Sequence, residues 1–267
     1  DLTGVDNVGA ALTKGVASTL LKFALKGGDE VPVGVAFSPT ESRFVTVGAA
    51  KHGVIWSAER GLISSSKKMK NRDKLKIKER APSWSVTYSP DGKFIAVGGT
   101  TGTVSIFKAK NGKRVDSIEA HNAPVTDVSF SADGSQLASS SHDGTVHHWD
   151  LSSGKTQRFQ GEGKLWTVAF SRTGGSDVVL GAGTDGIARV WEAGTGAEIR
   201  QFRAQVQPIS SIEIDASGRR IAMASPSGSS IKVWNLDTGL DVQIIDAEAQ
   251  VNALAFTPDG SKIAAAN

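Results

Sequence analysis

The feature of this sequence that most constrains its fold is an internal repeat. Residues 120–150 read AHNAPVTDVSFSADGSQLASSSHDGTVHHWD, and weaker copies of this segment recur along the chain. Measured at the residue that ends the first predicted strand of each copy, the successive intervals are 51, 42, 40, 44 and 42 residues. These marker residues are Phe37, Tyr88, Phe130, Phe170, Ile214 and Phe256. A second set of markers, the aromatic residues Trp56, Phe107, Trp149, Trp191 and Trp234, gives nearly the same spacing. The chain is therefore one series of similar units.

Each unit contains the pattern of several short strands. In the best copy, Val128 and Phe130 alternate with polar residues, and Gln136–Ser140, Thr145–Trp149 and Thr156–Gln160 follow after turn residues. Alternation with period two, bounded by Gly, Asp and Ser, predicts half-buried strands. Four strands repeated about every 40 to 45 residues are typical of propeller blades. We therefore predict an all-β fold, a β-propeller of six or seven four-stranded antiparallel blades.

The same pattern predicts the domain boundaries. Residues 1–18 form an N-terminal extension with a helical pattern, and residues 19–267 form the propeller. Thr19–Lys26 has the pattern of a fourth strand, and the last unit supplies two strands only, so we expect the propeller to be incomplete at the C-terminus and the chain to be part of a longer polypeptide. We expect this N-terminal strand to complete a blade that contains residues after Asn267. The predicted blades lie near residues 31–80, 82–119, 121–160, 161–203, 205–246 and 248–267, the last being partial.

Composition argues against several classes of function. The chain has no cysteine, which excludes thiol nucleophiles and disulfides. No phosphate-binding glycine loop or HExxH motif is present, and no apolar run reaches the about 18 residues that a membrane helix needs. We expect a non-enzymatic protein with no cofactor, no metal, no small-molecule substrate and no membrane span, located in the cytoplasm with a cytoskeletal or organellar location left open.

The repeats resemble those of the WD-repeat β-propeller family. In that family a histidine, a serine, an aspartate and a tryptophan share a buried hydrogen-bond network, and one unit here matches all four, with His121, Ser139, Asp143 and Trp149. Buried polar groups need such partners, which is why the network stabilises a blade. The resemblance implies a rigid scaffold that binds other proteins in a complex.

A second register of the repeat predicts the binding site. The position four residues before the end of the first strand is held by Trp84, Thr126, Trp166, Ser210 and Asn252. In WD-repeat proteins this register opens onto the narrow face near the central channel, and His142 and Thr184 are expected to flank it. Because tryptophan is enriched among residues that dominate binding energy, Trp84 and Trp166 are predicted to contact a partner. The alternative is that both indoles pack at the channel mouth.

A group of three histidines offers a second candidate site. His142, His147 and His148 could be metal ligands. Adjacent residues of a strand point to opposite faces, however, so His147 and His148 cannot readily share a ligand. A structural role is the preferred interpretation.

Positive charge is concentrated in one segment. Residues 67–80, KKMKNRDKLKIKER, carry eight basic and two acidic residues, which leaves the rest of this +3 chain at −3. Leu75 and Ile77 predict a strand here, preceded by a basic loop with Lys67, Lys68, Lys70 and Arg72. This loop could bind an acidic surface, or could be a solvated loop beside an edge strand. No aromatic residue is interleaved, which argues against nucleic acid.

One subgroup has a similar combination of features. Residues 43–56, RFVTVGAAKHGVIW, with the lysine-rich segment and AHNAPV at residues 120–125, are similar to the echinoderm microtubule-associated-protein-like group. This similarity implies an alternative function, a microtubule or axonemal component whose basic loop binds tubulin.

Overall fold

The computed structural model describes residues 32–49, 52–57, 74–79, 81–203, 208–247, 249–257 and 259–266. Over these residues the regular structure consists of 22 β-strands, and no helix occurs among them. The predicted N-terminal strand Thr19–Lys26, the helical pattern of residues 1–18 and the basic loop Lys67, Lys68, Lys70 and Arg72 lie outside the described residues.

The strands group into five four-stranded sheets and one two-stranded sheet within the described residues. Blades 1 and 2 contain β1 Pro32–Phe37, β2 Arg43–Gly48, β3 His52–Ser57 and β4 Lys74–Lys78, then β5 Ser83–Tyr88, β6 Phe94–Gly99, β7 Thr103–Lys108 and β8 Arg114–Glu119. Blades 3 and 4 contain β9 Val125–Phe130, β10 Gln136–Ser141, β11 Thr145–Asp150 and β12 Thr156–Gln160, then β13 Leu165–Thr173, β14 Ser176–Gly183, β15 Ile187–Glu192 and β16 Glu198–Arg203. Blades 5 and 6 contain β17 Ser211–Ile214, β18 Arg220–Ala224, β19 Ser230–Asn235 and β20 Asp241–Asp246, then β21 Ala253–Phe256 and β22 Ile263–Ala266.

Each sheet is an antiparallel meander in which strands pair in chain order. In blade 3, Leu137 of the second strand lies opposite Phe130 of the first and Trp149 of the third. The first strands of the six sheets surround a single channel. This arrangement confirms the predicted all-β propeller with four-stranded antiparallel blades.

Tight turns connect the strands of each blade. Between β13 and β14, Gly174 and Gly175 both have positive φ, 59° and 87°. A two-residue hairpin turn of this type needs positive φ at both positions, which glycine adopts without steric cost. Elsewhere an aspartate caps the turn. Asp133 Oδ1 accepts hydrogen bonds from the Ser135 amide at 2.9 Å and from Ser131 Oγ at 2.7 Å.

The apolar core lies between neighbouring blades. One such layer joins Val104 and Ile106 of blade 2 to Val128, Leu137 and Trp149 of blade 3. The side chains of a strand alternate between the two faces of its sheet, so each blade presents one apolar face to each neighbour. The repeat therefore builds its core from contacts that no single blade makes alone.

Candidate functional site

The central channel is a cavity lined by residues of all six described blades. It has a volume of about 650 Å³, in the range of ligand sites. The first strand of each blade presents its free edge to the axis. At the end where these strands begin, the lining residues are Val33, Trp84, Thr126, His142, Trp166, Ser210 and Asn252. All but Val33 are among the seven residues predicted to bind a partner, so six of those seven are brought together at one mouth of the channel.

The two tryptophans of this mouth differ from the other four. Trp84 is 36% exposed, whereas Trp56, Trp149, Trp191 and Trp234 are 6% exposed or less. Trp166 is also partly accessible. The ring of Trp84 meets that of His142 edge-on, with 5.4 Å between the ring centroids. Burial and, to a smaller degree, Lys164 lower the pKa of His142, so its ring is neutral near pH 7.

The hydroxyl groups of the same register hold neighbouring blades together. Thr126 Oγ1 donates to the Leu165 carbonyl at 3.0 Å, and Ser210 Oγ donates to the Val251 carbonyl at 2.9 Å. These two side chains use their hydroxyl protons inside the fold, which leaves the two tryptophans and Val33 as the apolar surface of the mouth. Thr184 lies beside the channel lining, where its Oγ1 accepts from the Lys164 amide at 3.0 Å.

One register deeper, polar side chains link successive blades. Each of four side chains in this register accepts a hydrogen bond from the backbone N–H of the next blade's first strand. The bonds are Val128 N to Ser85 Oγ at 3.1 Å, Val168 N to Asp127 Oδ2 at 3.0 Å, Ile212 N to Thr167 Oγ1 at 3.4 Å, and Leu254 N to Ser211 Oγ at 3.2 Å. We call these four side chains the inner ring. In blade 1 the same register is held by Gly34 and in blade 6 by Ala253, which have no side-chain acceptor.

Asp127 is the centre of the inner ring. Besides the hydrogen bond from the Val168 amide, the Asp127 carboxyl group accepts three others. The donors are Ser85 Oγ at 3.0 Å, the amide of the adjacent Val128 at 2.9 Å and Thr167 Oγ1 at 3.3 Å. Burial raises the pKa of the Asp127 carboxyl, and these four donors oppose that shift. The carboxyl group thus joins blades 2, 3 and 4, and through Thr167 it is linked to blade 5.

A second carboxyl group lies in the same channel. Glu213, on β17, lines the cavity three residues further along the strand than Ser210. Burial and the nearby Asp127 raise the pKa of Glu213 to about 8. Asp127 and Glu213 are not among the site residues predicted from the sequence. The signal available was an acidic residue inside an otherwise apolar and hydroxylic first strand, TDVSF and SSIEI.

The four residues of the predicted network lie in blade 3. His121 Nε2 lies 2.7 Å from Ser139 Oγ, and His121 Nδ1 lies 3.2 Å from Asp143 Oδ2. The Trp149 indole makes no hydrogen bond to this group among the described residues, and it lies beside the ring of His147 at 5.8 Å between ring centroids. Thr145 Oγ1 donates to Asp143 at 2.6 Å, so the hydrogen-bonded group consists of His121, Ser139, Asp143 and Thr145.

Blade 4 replaces this network with an ion pair. Gly161 stands at the position of His121, and the buried Arg189 stands at the position of His147. The Arg189 guanidinium pairs with Asp185, which occupies the turn position of Asp143. A buried guanidinium needs such a partner, since an unpaired buried charge is costly. The turn aspartate is thus retained with a different buried donor.

The three predicted histidines point in different directions. His142 faces the channel mouth, His147 meets the ring of His121 at 4.6 Å, and His148 Nε2 lies 2.8 Å from Gln136 Oε1 on the opposite face of the strand. Across the described ranges, no three His, Asp or Glu side chains converge to hold a metal ion.

Acid is expected to destabilise blade 3 through these rings. Burial, followed by the nearby His121, lowers the pKa of His147 to about 4. Its ordinary pKa is about 6.5, so the neutral ring stabilises the fold fully above pH 6.5, and this contribution is lost as the pH falls toward 4. When the pH is lowered from 7 to 4.5, we expect the Tm of the wild type to fall by about 3 to 6 °C more than the Tm of His147→Asn. Parallel Tm profiles would contradict this assignment.

Comparison with known proteins fits this architecture. A family model described as "WD domain, G-beta repeat" matches residues 112–150, and the "Anaphase-promoting complex subunit 4 WD40 domain" model matches residues 40–126. The "Periodic tryptophan protein 2 homolog" of Dictyostelium discoideum is 28% identical over 68% of this chain and 16% of its own length. "Eukaryotic translation initiation factor 3 subunit I" of Debaryomyces hansenii is 30% identical over 39% of this chain and 29% of its own length. "THO complex subunit 6" of Arabidopsis thaliana is 29% identical over 40% of this chain and 30% of its own length.

The fold and the repeats together define a β-propeller protein. The family that the matches support is that of the WD40 repeats. The chain spans less than a third of the length of each of the three relatives named above.

These matches give no support to the microtubule-associated subgroup, since the names of the relatives above include no microtubule protein. The part of the chain that the structure describes contains no helix that is both long and apolar enough to cross a membrane.

Proposed function

We propose that this protein is a non-enzymatic scaffold that docks partner proteins on the propeller face at the channel mouth, in the cytoplasm. The observation that carries the proposal is the exposure of Trp84 beside His142 and Trp166, at a register where the other described blades have Val33, Thr126, Ser210 and Asn252, none of them aromatic. Large aromatic side chains at the centre of a concave surface are typical of residues that dominate binding energy. The two named relatives called subunits, of initiation factor 3 and of the THO complex, are consistent with a role in a protein assembly.

An enzymatic function is the alternative that the two carboxyl groups in the channel raise. A hydrolytic site in a propeller needs two convergent carboxyl groups with accessible oxygens, one as acid and one as base or nucleophile. Asp127 and Glu213 both line the channel, but both oxygens of Asp127 accept hydrogen bonds from the inner ring and the backbone. This occupancy favours a structural role for Asp127 and supports the scaffold proposal.

The experiment that tests the scaffold function is the double variant Trp84→Ala with Trp166→Ala. We expect it to lose the partner proteins that the wild-type protein binds, at least a hundredfold in Kd if each indole contributes about 2 kcal/mol, and to keep its circular dichroism spectrum. A matched control is Leu151→Ala with Leu240→Ala, which removes two exposed apolar side chains from turns at the other end of the blades and should leave binding unchanged. Normal binding by the tryptophan variant, or its unfolding, would show that these indoles are structural.

The microtubule alternative stays a prediction. It depends on Lys67, Lys68, Lys70 and Arg72, whose structure is not described, and on the sequence similarity alone.

A further inference from the structure

The channel below the two tryptophans contains two carboxyl groups, and the described residues of its lining offer them no lysine or arginine partner. Among the described residues that line it, the titratable side chains are Asp127, His142 and Glu213, and neither lysine nor arginine is present. The two carboxyl groups differ in their surroundings. Asp127 has four hydrogen-bond donors, whereas no donor from the described residues reaches the Glu213 carboxyl group. Glu213 is therefore a partly accessible acidic group in the channel that has no counter-charge among the described lining residues.

The charged groups on the strands around Glu213 are occupied elsewhere. Arg172 of β13 donates to the Gly175 carbonyl, and Arg220 of β18 donates to Asp215 and to the Gly260 carbonyl. All of these groups lie at the end of the first strands that is away from the two tryptophans. Strand β21, on the other side, contains no titratable residue. The one charge that acts on Glu213 from within the channel is that of Asp127, which opposes ionisation.

We propose that the channel receives a lysine or arginine side chain of a partner protein, with its stem between Trp84 and Trp166 and its cationic group at Glu213. The proposal rests on the docking of partners at this mouth and names the chemistry that the mouth recognises. Cations are attracted to the faces of tryptophan rings, and a charge-assisted hydrogen bond to a carboxylate is stronger than a neutral one. Glu213 lies three residues beyond the tryptophan register, about 10 Å along a strand, which is within reach of a long side chain that enters from the mouth.

Binding of the cationic side chain is coupled to the release of a proton from the Glu213 carboxyl group. Below a pKa of about 8 the free Glu213 carboxyl is mostly protonated, and a cation favours its ionised form. Affinity therefore rises with pH until the free carboxyl is ionised. Since the apparent affinity scales with the fraction of the competent form, we expect Kd to fall by about 50-fold between pH 6 and pH 8. His142 at the mouth has a lowered pKa and acts in the same direction only near the lower end of this range.

The test uses three short peptides with the purified protein: acetyl-Gly-Arg-Gly-amide, its lysine analogue and its citrulline analogue. Binding is followed by NMR through the indole N–H signals, assigned for Trp84 and Trp166 with phenylalanine variants. We expect the arginine and lysine peptides to shift these two signals, with Kd falling as the pH rises from 6 to 8. The citrulline peptide, equal in shape but uncharged, should bind at least tenfold more weakly at pH 8.

Two variants separate the role of Glu213 from that of its surroundings. Glu213→Gln should remove both the preference for arginine over citrulline and the pH dependence. Glu119→Gln, a change of the same kind on the exposed strand β8, should keep both. Equal binding of arginine and citrulline peptides by the wild type, or a pH dependence that survives in Glu213→Gln, would overturn the proposal. Carboxyl titration of Glu213 by ¹³C NMR, which should show a lower pKa when the arginine peptide is present, gives a second readout if Glu213→Gln fails to fold.

The two proposals fail in different ways. If peptides bind at Glu213 while Trp84→Ala with Trp166→Ala retains the natural partners, the cation site stands and the docking function is wrong. If that double variant loses its partners while the peptides show no charge preference, the docking function stands and the cation site is wrong.

Discussion

Replacing Asp127 by alanine is expected to lower the free energy of unfolding by about 3 to 5 kcal/mol, the cost typical of breaking a buried network and leaving its donors unpaired. The carboxyl group accepts four hydrogen bonds, from two hydroxyl groups and two backbone amides. Hydroxyl groups can rotate toward other acceptors, but the Val168 amide is fixed by its strand and would be left without its acceptor. The loss would be measured by equilibrium unfolding in urea.

Two further variants serve as controls for this prediction. Asp127→Asn keeps the shape and one carbonyl oxygen, and should lose roughly half as much stability as Asp127→Ala, since one set of donors keeps an acceptor. Ser129→Ala removes a hydroxyl group on the same strand whose only described hydrogen bond is to the adjacent Phe130 carbonyl at 3.5 Å. It should change stability by less than about 0.5 kcal/mol. An Asp127→Ala protein as stable as Ser129→Ala would show that the inner ring does not hold the blades together.

The second large effect concerns the two kinds of tryptophan. Trp149→Ala should cost about 3 to 5 kcal/mol, because it leaves a cavity in the layer between blades 2 and 3. Trp84→Ala should cost about 1 to 2 kcal/mol, since the Trp84 indole is already partly in solvent. Urea unfolding of the two variants in parallel measures both. Similar losses would mean that the channel-mouth indole is part of the core.

The sequence predicts much of this fold because the repeat constrains it in several ways at once. The fourth strand of blade 3 is predicted as Thr156–Gln160, the bounds that the structure has. The fourth strands of blades 4 and 5 begin at Glu198 and Asp241. An irregular register between Val190 and Trp191, and between Val233 and Trp234, leaves one residue of each of these fourth strands unpaired, which alternation alone does not reveal.

Part of the candidate site could likewise be predicted from the sequence, and part could not. Alignment of the repeats places Trp84 and Trp166 in one register, and a register is a property that sequence can show. The partners of Asp127 could not be predicted, because Ser85 and Thr167 are 42 and 40 residues away and meet it only when three blades surround the channel. Glu213 was missed for a related reason. A charged residue in a short strand usually faces solvent, and only the arrangement of the blades around the axis makes that solvent part of a channel.

The inner ring also has an interruption, and this has a consequence for how the molecule opens. A Cβ atom at Gly34 would lie 3.0 Å from both the Trp84 carbonyl oxygen and Val47 Cγ2, so this register of blade 1 has space for little beyond glycine. Blades 1 and 2 are consequently joined at the axis by apolar contacts, without the side-chain acceptor that every later junction between described blades possesses. The directional bonds of this junction lie further from the axis, where Arg114 donates to the Lys78 carbonyl and pairs with Glu79. Local opening follows the regions with few buried bonds, so blades 1 and 2 should separate first on the channel side while their outer strands are still held together.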